Sequence, residues 1–215
     1  MSNSAEIPRY SPAEERFNVT SHAIGLLLSI GALVALLRHA IPMDDVRLAI
    51  SFGVFGLSLI FLYGTSTAYH SSKNQARRSR LRILDHVSIY ILIAGTYTPF
   101  TLITLQGPTG WMIFGASWGM ALAGIILKFF FTGKYRLLST LMYVFMGWLI
   151  VFAIGPLIDE LPRAGLTWLV AGGLSYTLGA ALYSIKKIRF NHAIFHVFVL
   201  LGISCHLMAV YFYVA

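Results

Sequence analysis

Apolar positions along the chain come in long blocks and do not alternate residue by residue. Seven apolar runs cover roughly residues 20–38, 47–70, 83–105, 110–131, 137–158, 165–185 and 192–213. Polar or helix-breaking stretches divide them: Pro42 to Asp45, Ser71 to Arg82, Gln106 to Pro108, Gly133 and Lys134, Asp159 to Pro162, and Lys186 to Asn191. A helix needs about 20 apolar residues to cross a bilayer, and each run meets that length. None shows the ten-residue alternation of a transmembrane strand, and a helix satisfies its own backbone where water is absent. The pattern predicts an all-α integral membrane protein. A short polar segment, 1–18, precedes a seven-helix transmembrane bundle, 19–215, with no separate soluble domain.

Composition agrees and narrows the class. Hydrophobic residues make up 57% of the 215 and charged residues 11%, against about 25% charged in a soluble domain. The net charge of +8 is read as a membrane-orienting excess and not as a nucleic-acid footprint. Thirteen of the sixteen Lys and Arg fall in the N-terminal segment (Arg9, Arg16), the 2–3 loop (Lys73, Arg77, Arg78, Arg80, Arg82), the 4–5 region (Lys128, Lys134, Arg136) and the 6–7 loop (Lys186, Lys187, Arg189). Only Arg38, Arg47 and Arg163 fall on the other side. Cytoplasmic loops carry the basic excess, so the N-terminus is expected inside a cell membrane, the inner one where there are two, and the C-terminus outside. The single cysteine, Cys205, permits no intrachain disulfide, and the polar first 18 residues give no sign of a cleavable signal peptide.

Small residues recur at helical spacing in span 4 (Gly115, Gly119, Ala123) and span 6 (Ala171, Ser175, Gly179). Such stripes let helix backbones approach closely, either within the bundle or across a homodimer seam.

Ionisable residues inside spans are costly and point to function. Five of the seven histidines sit at span ends on the expected cytoplasmic side: His22 in span 1, His70 in span 2, His86 in span 3, and His192 and His196 in span 7. Asp85 joins them as the one acid inside an apolar run. His206 lies ten residues past His196, roughly 15 Å deeper at 1.5 Å per residue. Taken singly, a histidine at a span end is an ordinary interfacial residue, and His206 reads as a packed core residue. Taken together, four helices bring imidazoles to one depth. His192 and His196, one turn apart, share a helix face and are spaced to hold one metal. His70 is the economical third ligand. Three imidazoles and a water describe a catalytic zinc site with an open position, although other divalent ions share the preference. Asp85 is placed to take a proton from that water. Ser66 lies one turn before His70 on the same face, in position to contact a ligand or a substrate oxygen, and Asn18 and His22 form a further four-spaced pair read as supporting residues.

In order along the chain, Glu15-x2-Asn18-x3-His22, Ser66-x3-His70 with Asp85-His86, and His192-x3-His196-x9-His206 resemble the signatures of the progestin and adipoQ receptor family, in its bacterial haemolysin III branch. The likeness covers essentially the whole chain. It implies zinc held by His70, His192 and His196, with Asp85 contacting the water on the ion and Ser66 nearby. Adiponectin receptors of this family are linked to ceramide hydrolysis, whereas the bacterial branch is associated by name with cytolysis and also with membrane homeostasis.

Three function classes follow: a zinc-dependent hydrolase of a lipid amide or ester, a membrane-homeostasis sensor or regulator with a structural zinc, and a cytolytic pore-former. The pore is disfavoured because no chain of carboxylates crosses the membrane. Span 7 contains no lysine, so a retinal Schiff base there is excluded.

Overall fold

The computed structural model describes residues 10–132 and 134–214. Arg9 of the charge count, Gly133 of the 4–5 divider and the first nine residues of the expected segment 1–18 lie outside the described residues. Among the described residues eight α-helices follow one another: α1 (Pro12–Ala40), α2 (Val46–Ser71), α3 (Gln75–Pro99), α4 (Gly107–Phe131), α5 (Arg136–Gly147), α6 (Ile154–Glu160), α7 (Arg163–Ser184) and α8 (Asn191–Tyr213). With α5 and α6 taken as one broken span, seven helical units are long and apolar enough to cross a membrane. There is no strand among the described residues. Residues facing away from the bundle are apolar, as lipid requires: Leu27 is 71% exposed and Phe130 73%.

Helix starts follow their caps and not their hydropathy. Ser11 Oγ accepts from the Glu14 amide at 3.2 Å, with Pro12 at the first helical position, where its missing N–H costs nothing. As a result α1 begins eight residues before the apolar run and spans 29 residues, about 43 Å at 1.5 Å per residue. The expected boundary at residue 18 falls inside it. Asn74 likewise caps α3 by accepting from the Arg77 amide at 3.0 Å. The expected loop from Ser71 to Arg82 is therefore only residues 72–74, and Arg77, Arg78, Arg80 and Arg82 lie on a helix, which arginine favours. Asp85 is correspondingly not the only acid in a spanning helix. Glu14 and Glu15 lie in the first turn of α1, where they complement the helix dipole, and Asp159 and Glu160 close α6.

Span 5 is broken where one helix was expected. A 3-10 segment, Leu149–Ala153, separates α5 from α6. Gly147 has low helix propensity, and Pro156 lacks an N–H and crowds the carbonyl four residues earlier. The Tyr97 hydroxyl of α3 repairs the break, donating to the Gly147 carbonyl at 2.9 Å and accepting from the Ile150 amide at 3.0 Å.

Helices α1, α2, α3 and α4 pack in sequence, α7 packs on α8, and α8 returns to α1. The most enclosed helix is α3. In span 6 the small-residue stripe is occupied within the bundle: Ser175 Oγ donates to the Phe198 carbonyl at 2.8 Å, and a Cβ at Gly179 would meet Phe198 at 2.6 Å. Gly115 and Gly119 of span 4 face open space.

Candidate metal centre

At one end of the bundle α2 and α8 bring three imidazoles together. His192 Nε2 lies 3.1 Å from His70 Nε2 and 3.2 Å from His196 Nε2. One ring nitrogen from each of the three falls within 4.8 Å of the others. Bonds of 2.0–2.1 Å to a tetrahedral metal place two ligand nitrogens about 3.3–3.4 Å apart, so the two separations from His192 are compatible with ligands sharing one ion. The donor set is all imidazole, buried on His70 and His196 and half-buried on His192.

The outer edge of His70 is held from α1 and α3. Its Nδ1 lies 2.6 Å from Glu15 Oε2, and the other Glu15 oxygen is bonded by the Arg78 guanidinium. Arg78 in turn reaches the Ser72 carbonyl at 3.4 Å and sits over the Tyr69 ring. A carboxylate on Nδ1 puts the proton there and leaves the Nε2 lone pair facing the other histidines, the outer-partner arrangement of metal-bound imidazole. Asn18 Nδ2 lies 3.5 Å from the same Nδ1, and its Oδ1 has no hydrogen-bond partner.

His22 stacks on His196 with ring centroids 3.5 Å apart and meets Tyr63 edge-on, and neither of its ring nitrogens is hydrogen-bonded. Tyr10 stacks on His192 at 4.8 Å, and burial holds its phenol well above the usual tyrosine range. Asp85 Oδ2 lies 3.2 Å from His86 Nδ1. His206 stands apart from the cluster. Its Nε2 donates to the Leu169 carbonyl at 3.1 Å, and it packs so tightly that a Cβ at Gly172 would lie 2.2 Å from its ring.

A cavity of about 240 Å³ runs from this cluster into the bundle between α3, α5, α7 and α8. His192, His196, Ser66 and Asp85 line its metal end, and apolar side chains such as Leu92, Phe100, Leu157 and Leu166 line its depth. Ser66 is buried, and its hydroxyl has no partner. The structure therefore gathers His70, His192, His196, His22, Asn18, Ser66, Asp85 and His86 at one end, and leaves His206 further along the cavity wall. Reasoning from hydropathy assigned no role to Glu15, Arg78 or Tyr10, because all three lie in stretches read as polar connections. The i, i+3, i+7 spacing of Glu15, Asn18 and His22 was the available signal for Glu15, since it sets them on one helix face. No sequence signal marked Tyr10.

The profile of the family described as "Haemolysin-III related" matches residues 10–207. The chain is 46% identical over 201 residues to "Hemolysin-3" of Bacillus cereus, covering 94% of this chain and 92% of that protein. It is 44% identical over 200 residues to "Hemolysin-3 homolog" of Bacillus subtilis (strain 168), covering 93% and 94%. It is 30% identical over 217 aligned positions to "Monocyte to macrophage differentiation factor" of Homo sapiens, covering 95% and 87%. A seven-span bundle, the ordered signatures and these matches along nearly the full length agree: the chain belongs to the haemolysin III-related family of multi-pass membrane proteins, within the wider progestin and adipoQ receptor group.

Proposed function

We propose that this protein is a zinc-dependent hydrolase of a lipid amide or ester, working within a cell membrane and contributing to membrane homeostasis. The observation that carries the reading is the convergence of His70, His192 and His196 at the head of a cavity with apolar walls and an acid, Asp85, beside them. Zinc suits a set of three imidazoles with no thiolate. When bound, it would supply Lewis acidity toward a carbonyl and toward water.

The protein's own residues do the rest. Glu15 fixes the His70 tautomer through Nδ1 and keeps Nε2 available. The apolar stretch of the cavity accepts an acyl chain and excludes water. Ser66, with an unpartnered hydroxyl on the cavity wall, donates to the substrate oxygen. Asp85 accepts the proton of the attacking water, and His86 at 3.2 Å stabilises the carboxylate between turnovers. In this reading the metal end faces the cytoplasm, as the basic residues suggest.

The test is fatty-acid release by the purified, zinc-loaded protein from phospholipid and sphingolipid mixtures, followed by mass spectrometry. Release that disappears with Asp85→Asn and His192→Ala supports the reading. Zinc that stays bound with no release from any lipid would overturn it and mark the site as structural, in a sensor or regulator.

A further inference from the structure

Lys128 is a cation in an unusual place. It lies on α4 one turn before the helix ends at Phe131, it is 4% exposed, and its side chain points into the bundle. Lysines near span ends ordinarily snorkel outward to keep the ammonium in water. This one turns inward, donating to Ser139 Oγ at 2.6 Å with its Nζ 5.7 Å from the centre of the Tyr143 ring. Both partners are uncharged, and an ammonium has three donors. A buried charge without an opposite charge is costly and marks a ligand or ion path.

The surroundings say which ligand. Lys128, Arg82 and Lys134 line the same cavity as the histidine cluster, whereas Asp85 is the one acid among its described lining residues and lies 3.2 Å from His86. Among the described lining residues, basic side chains thus outnumber acidic ones at this end of the cavity. Ser139 and Thr140 add hydroxyls to it, and the walls beyond are apolar. A cationic and hydroxyl-bearing mouth at the end of a span, leading into an apolar slot, fits an amphiphile with a negative head. We propose that Lys128, with Arg82 and Lys134, forms a headgroup subsite for the phosphate of an anionic phospholipid whose acyl chain occupies the cavity. The subsite names the substrate class of the hydrolase read above and rests on that reading for turnover, but binding at it needs neither the metal nor chemistry.

The test uses the full chain in detergent, in metal-loaded and chelator-stripped forms. It is titrated with dihexanoyl phosphatidylglycerol, with dihexanoylglycerol, which has the same acyl chains and no phosphate, and with inorganic phosphate, and binding is read by thermal shift or calorimetry. One charge-assisted hydrogen bond corresponds to about tenfold or more in affinity, so wild type should prefer the phosphatidylglycerol by at least that factor. Lys128→Met should lose the preference and Lys128→Arg should keep it. Lys134→Gln, at an exposed loop position, should weaken it with the fold intact even if Lys128→Met fails to fold. The preference should survive in the stripped protein and in His192→Ala, so a protein that selects headgroups without hydrolysing them refutes the hydrolase and not the subsite. Equal binding of the two lipids by wild type, or a preference unchanged in Lys128→Met and Lys134→Gln, overturns the subsite. Inorganic phosphate competing as well as the short-chain lipid overturns its assignment to a lipid.

Discussion

Removing the Glu15 carboxylate would strip His70 of its outer partner without touching a proposed ligand. In the folded chain one carboxylate oxygen lies 2.6 Å from His70 Nδ1 and the other takes the Arg78 guanidinium, so a single side chain from α1 ties α2 to α3 behind the metal position. Loss of such an outer partner costs about 10–100-fold in metal affinity, or about 1.4–2.7 kcal/mol at 1.4 kcal/mol per tenfold. Glu15→Gln keeps an acceptor for Nδ1 but no charge, and should sit near the tenfold end. Glu15→Ala leaves Nδ1 without its carboxylate and should approach a hundredfold. Arg78→Met, which touches the carboxylate and not the histidine, should fall between wild type and Glu15→Ala. The measurement is zinc titration of the full chain in detergent against a chromophoric chelator, with circular dichroism to confirm the helices and His192→Ala as the ligand-loss reference. If Glu15→Ala binds zinc within about threefold of wild type while His192→Ala loses it, the Glu15–His70 contact is not coupled to the metal and the reasoning fails.

Asp85→Asn should retain zinc and lose fatty-acid release by about 10²–10⁴-fold, the range for a general base, in a chromatographic fatty-acid assay. Metal retention should fall as the solution is acidified, because the ligands bind as neutral rings and protons compete with the ion; metal content after dialysis across a series of falling pH values measures this. Tyr97→Phe removes the hydroxyl that bridges the Gly147 carbonyl and the Ile150 amide, and should destabilise the protein by about 1–3 kcal/mol in detergent unfolding. Gly172→Ala, whose Cβ would lie 2.2 Å from the His206 ring, should cost about 1–3 kcal/mol by overpacking, whereas Gly115→Ala, with open space around it, should be neutral in the same measurement.

How much of this was legible in the sequence depended on which force set each feature. Lipid contact writes itself into hydropathy over twenty residues, so all seven spans could be read, and the four-residue spacing of His192 and His196 follows from helix geometry alone. Their meeting with His70 rested on equal depth, a cruder argument that the 3.1 Å contact meets. The ends of the helices were harder, because Ser11 and Asn74 start α1 and α3 by capping, a local hydrogen bond that hydropathy does not register. The break in span 5 was missed for a related reason, since its repair by Tyr97 comes from a different helix.

Those missed helix starts and the missed outer partners of the site are one error. Glu15 can meet His70, and Arg78 can meet Glu15, only because α1 and α3 begin well before their apolar runs, which carries polar first turns alongside α2. Lys128 adds the complementary case. Counted along the chain, it was one more basic residue at a span end, and its sign served only to orient the bundle. What the count could not register was direction around the helix: Lys128 lies seven residues after Ala121 and four after Gly124, both of which face inward, so an i+3 step followed by an i+4 step puts the ammonium on the packed face. Basic residues at a span end therefore divide by helix angle. The outward ones are free to report which side meets the cytoplasm, whereas the inward ones, Lys128 and Arg82 among them, face the cavity and bear on what it accepts.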